Sequence, residues 1–67
     1  MRKPKPDITV QNHGSIFLFV PETRRGRTWI NENVQDDAQW WANALVVEHR
    51  YAMDLASGMM ADGLRVK

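Results

Sequence analysis

No cysteine occurs among the 67 residues, which excludes disulfide staples and thiolate zinc centres. Histidine is nearly as scarce. His13 and His49 stand far apart without a ligand spacing, so neither a structural metal nor a cofactor is expected. Long apolar runs are missing too. The longest, "IFLFV" from Ile16 to Val20, has five residues, against about twenty for a bilayer span, so no membrane partner is expected. Charge of one sign is also absent. A formal net charge of +1 provides no global field to attract nucleic acid or anionic lipid. The amino-terminal "MRKPKPD" is basic, but no apolar stretch follows it as in a secretion signal. Together with the lack of cysteine, this makes the cytoplasm the expected location.

What is present suits a globular domain: 43% hydrophobic and 25% charged residues. A chain this short buries only about 60% of its unfolded surface, so its stability margin is thin. With disulfides and metals set aside, the remaining supports are self-association or dense packing around Trp29, Trp40 and Trp41.

Residues 1–6, with three basic residues and two prolines, read as a mobile tail, and residues 7–67 as a single α+β domain. "ITVQ" and "SIFLFVP" flank Asn12-His13-Gly14, a turn in which glycine can supply a positive φ. In the second run Ile16, Leu18 and Val20 share one face and Phe17 and Phe19 the other. A strand apolar on both faces is expected to be central or covered twice. The first run, polar on one side, is expected at an edge. Pro21 ends the strand, and Glu22-Thr23 opens a helix reaching about Asn33, anchored by Trp29 and Ile30. "VQDDAQWWAN" reads as a turn at Asp36-Asp37 and a short helical turn, with the tryptophans under cover. Residues 44–47 read as a buried strand. From Glu48 onward, Tyr51, Ala52, Leu55, Ala56 and Met59 recur at helical spacing, and Gly63 provides the stop. "LRV" closes the chain as a short strand, giving the order β-β-α-β-α-β, with the two helices largely on one face of the sheet.

Three sets of residues carry chemistry. Glu48, His49 and Arg50 follow a strand end, where α/β units often present ligand groups: a base, an acid–base group and an anion clamp. The simpler reading makes Glu48 a favourable charge at a helix start, pairs Arg50 with Asp54 and turns Tyr51 inward. No serine, cysteine or second carboxylate stands at a motif spacing beside them, so no reaction class emerges and the chain is read as non-enzymatic. His13 and Ser15 could be a small catalytic pair, though histidine also suits a turn. Arg24, Arg25 and Arg27, with Arg2, Lys3 and Lys5, form a candidate phosphate-binding patch, the basis of a nucleic-acid alternative. Met59 and Met60, being consecutive, cannot share a helix face. The exposed one suits an adaptable protein contact, and Met60 and Trp40 are candidate surface residues with the arginines.

The segments "ITVQNHGSIFLF.P.T", "W...NV", "QWW.NALVVEHRY" and "DGL.V" resemble a group of small uncharacterised proteins of bacteriophages and bacterial mobile elements. The resemblance covers nearly the whole chain after the tail and brings no catalytic or binding motif. It implies a cytoplasmic accessory protein acting on a protein partner or on itself as a homodimer.

Overall fold

The computed structural model describes residues 5–34 and 38–67; positions 1–4 of the expected tail and the Asp36-Asp37 turn lie outside that description. Six elements follow one another: β1 (Ile8–Asn12), β2 (Ile16–Pro21), α1 (Arg24–Asn33), β3 (Trp40–Trp41), β4 (Ala44–Glu48) and α2 (His49–Ala61). The strands form one antiparallel sheet in the order β1-β2-β4-β3, so the doubly apolar β2 is central, as its composition requires.

Register assigns the faces. Ile8 lies opposite Pro21, Val10 opposite Phe19, Phe17 opposite Val47, and Phe19 opposite Leu45. Directly opposed residues project to the same side, so these form the face on which both helices pack. Ile8, Phe19, Leu45 and Val47 join Ile30 of α1, Ala52 and Met59 of α2, and Leu64 in one core. Trp29 and Leu55 pack against it, half-buried.

Gly14, at φ 87°, turns β1 into β2, and its backbone N–H donates to the side-chain oxygen of Asn12. Thr23 caps α1: its hydroxyl accepts the Gly26 N–H at 3.1 Å while donating to Asp7 Oδ1 at 2.6 Å. At the other end of the chain, Leu64 N–H bonds to Met59 O and Gly63 N–H to Met60 O, each at 3.0 Å. With Gly63 at φ 91° this is a Schellman closure, and Leu64 and Met59 meet in the core.

The terminal segment runs beside β1. Ile8 N–H bonds to Arg65 O, Lys67 N–H to Ile8 O, and Val10 N–H to Lys67 O, a parallel ladder centred on an Ile8–Val66 bridge. The expected closing strand is thus reduced to a bridge. β1 is the edge of the sheet, but its outer side is lined by the carboxyl terminus and Ile8 is fully buried.

Two expectations are overturned. Trp40 and Trp41 are neither under cover nor part of a helical turn; positions 35–37, where such a turn could precede them, lie outside the described residues. They form a two-residue strand paired with Leu45 and Ala44, and they are 41% and 63% exposed. The tight turn Ala42-Asn43 leads from this strand directly into β4, and Ala42 accepts φ 55° to close it. Tyr51 does not turn inward; it is 53% exposed. The buried stripe of α2 is centred on Ala52, Leu55, Ala56 and Met59, and at about 100° per residue Tyr51 stands at its margin.

Candidate interaction surface

The sheet's second face is built by the other residues of the same strands. Thr9 opposes Val20 and Trp41 opposes Ala44; Gln11 opposes Leu18, which opposes Val46. Among the described residues both helices pack on the opposite side, so no helix covers this face. Leu18 and Ala44 are nonetheless buried. Val20 and Val46 are half-buried, and the Trp41 indole stands most exposed. Beside that indole lies a recess of about 250 Å³, lined by Gln11, Leu18, Val20, Ala44 and the Ala42-Asn43 turn.

The polar quartet Glu48-His49-Arg50-Tyr51 does begin a helix, with Glu48, the last residue of β4, at the N-cap position but making no side-chain cap bond. Arg50 does not reach Asp54. It pairs with Glu48 at 3.6 Å and lies 5.0 Å over the Tyr51 ring, since the exposed ring and the carboxylate are both nearer than the next turn. His49 is exposed, its ring 5.4 Å from that of Phe17, and its backbone N–H bonds to Ser15 O. His13 Nε2 lies 3.3 Å from Gln11 Oε1 at the hairpin tip. Both members of the Glu48–Arg50 pair are solvated, so little of its Coulomb energy is available for chemistry.

Arg24, Arg25 and Arg27 are all exposed on α1. Arg25 is tied to the fold: its guanidinium donates to Gly63 O and stands 4.0 Å from Asp7 Oδ2. Glu32 and Asp62 line the same 430 Å³ depression as Arg24 and Arg25, so the local field there is mixed. Met60 is 53% exposed and Met59 fully buried, as their adjacency requires. Met53, 75% exposed, lies seven residues before Met60 on the same outer side of α2. A larger groove of about 850 Å³ lies between α1, β4 and α2. Its walls include Val34 and Gln39, which flank positions 35–37, so its closure on that side falls outside the described residues.

Sequence reasoning passed over Asp7. It is 7% exposed and joins three parts of the fold. Its carboxylate accepts from the Thr23 hydroxyl and, at 2.9 Å, from the Arg65 N–H; its carbonyl accepts from Glu22 N–H at 2.8 Å. The Thr23 and Arg65 hydrogen bonds, helped by Arg25, hold its pKa below the ordinary 3.8, against an opposing effect of burial. An aspartate immediately after a basic, proline-containing tail carries no signal of this role, because its partners lie 16 and 58 residues away.

Comparison with family models, with curated proteins and with solved structures finds no match. Among the described residues no helix is long and apolar enough to cross a membrane.

Proposed function

We propose that the chain is a non-enzymatic protein-interaction module. In this reading it is a cytoplasmic accessory protein of a bacteriophage or mobile element, the context implied by the sequence resemblance. One observation carries the interaction reading: a four-stranded sheet with an apolar second face that no described helix covers, with Trp41 63% exposed at its margin. Large exposed aromatic residues beside an apolar recess are the usual anchors of protein contacts, where tryptophan contributes disproportionately to binding. The solvated quartet and the dispersed arginines offer no comparably organised alternative.

A photo-reactive benzoylphenylalanine placed at position 41 tests this in bacterial cells. Irradiation is expected to yield discrete covalent adducts, either of twice the chain mass or to another protein. The absence of any adduct from position 41, with adducts forming from a control probe at Met53, would refute this surface as the site.

A further inference from the structure

We propose that the occupant of the open sheet face is a second copy of the same chain, paired about a two-fold axis. In this dimer Trp41 of each protomer enters the recess beside Leu18 of the other. The proposal rests on the interaction reading above and adds the identity of the partner.

Charge is the first argument. Thr9, Gln11, Leu18, Val20, Ala44, Val46 and Trp41 are all uncharged, and together they make the two central rows of this face. Two copies laid together on these rows oppose no like charges there; the one charged strand residue of the face, Glu48, stands opposite Ile16 at its end and is paired with Arg50. A nucleic acid or an anionic bilayer finds no cation in these rows to replace its counterions. A charged protein surface would lose hydration without gaining a partner.

Shape is the second. A two-fold interface uses one patch twice, so that patch must carry both a projection and its complement. Here the two are neighbours: the exposed indole of Trp41, and the recess of about 250 Å³ formed by Gln11, Leu18, Val20 and Ala44 beside it. Leu18 and Ala44 already form an apolar floor. Covering the indole adds a large share of the buried area, since a tryptophan buries roughly 150–250 Å². Stacking the sheets about 10 Å apart, with strands nearly aligned, is the ordinary geometry for such faces.

Size sets the strength. Four strands about 4.8 Å apart, the longer ones spanning five or six residues at about 3.4 Å each, give a face of roughly 19 by 18 Å. That is roughly 340 Å² in projection, below the ~800 Å² per partner of a standard stable interface. The dimer is accordingly weak and concentration-dependent, weaker than the roughly micromolar lower end of standard-size interfaces.

Sedimentation velocity of the purified chain from about 1 µM to 1 mM decides the matter, with circular dichroism verifying that each variant is folded. The wild type is expected to pass from monomer to dimer across this range. Trp41→Glu and Gln11→Glu change exposed side chains on the face and are each expected to weaken association at least tenfold. Met53→Glu, on the outer side of α2, is expected to follow the wild type. A wild type that stays monomeric throughout overturns the proposal, as does a dimer that both face variants leave intact. A monomer that still forms adducts to another protein from position 41 removes the second copy as occupant and leaves the interaction reading standing. A monomer without adducts removes both.

Discussion

Two helical glycines should respond oppositely to the same substitution. A Cβ built on Gly26 stands 2.4 Å from Asp7 O and 2.9 Å from Ile8 Cδ1, closer than real side chains come. Neither neighbour yields easily. Asp7 O is backbone engaged by Glu22 N–H, and Ile8 is fully buried between the terminal segment and the core. Separation to ordinary contact needs a shift of nearly 1 Å between α1 and β1, through the region where Asp7 holds Thr23 and Arg65. Overpacking of this kind costs about 1–3 kcal/mol, and strained Asp7 hydrogen bonds add to it. The helix-propensity gain of alanine over glycine, about 1 kcal/mol in a helix interior, offsets only part. Gly26→Ala is expected to destabilise by about 2 kcal/mol. A Cβ on Gly58 meets only the Trp29 ring, at 3.7 and 3.8 Å, which is ordinary contact. Gly58→Ala is therefore expected to stabilise by about 0.5–1 kcal/mol. For a chain whose total stability is of order 3–10 kcal/mol, both effects lie well within reach of urea titrations followed by circular dichroism. Equal midpoints for the two variants would refute the close approach of α1 to β1, and with it the placement of Asp7.

The low pKa of Asp7 makes a pH prediction. Its folded-state value lies below the ordinary 3.8, so its contribution is present above the unfolded value and is lost as pH falls through the folded one. Urea midpoints should decline below about pH 4, and Asp7→Asn should flatten that decline; an identical acid limb in the variant would remove Asp7 as its source. At neutral pH Asp7→Ala should cost about 2–3 kcal/mol, because the Thr23 hydroxyl and Arg65 N–H lose their acceptor. Ala42 holds φ 55°, a conformation that disfavours a Cβ by about 1–2 kcal/mol, so Ala42→Gly should raise stability by about 1 kcal/mol. An unchanged or lowered midpoint for Ala42→Gly would show that the turn is unstrained.

The α+β class, the central position of β2, the Thr23 cap and the Gly63 stop follow from local signals: alternation, helical spacing, and residues that suit a cap or a positive φ. Such signals act within a few residues, so a sequence states them directly. Tyr51 and the tryptophan pair mark the limit. Whether an apolar residue at the margin of a stripe is covered depends on what the fold brings opposite it, and here nothing described lies over Trp41 or fully over Tyr51. The Ala42-Asn43 turn lacks the glycine that would have announced a hairpin, and its pairing energy comes from β4 rather than from its own residues. Asp7 shows the same division most sharply. Its charge is local, but its partners arrive from the cap of α1 and from the far end of the chain, and only chain closure brings them within hydrogen-bonding distance. The second apolar face of β2 was plain in "IFLFV". That no described helix would cover it was decided in three dimensions, because both helices among the described residues are spent on the face carrying Phe19 and Leu45.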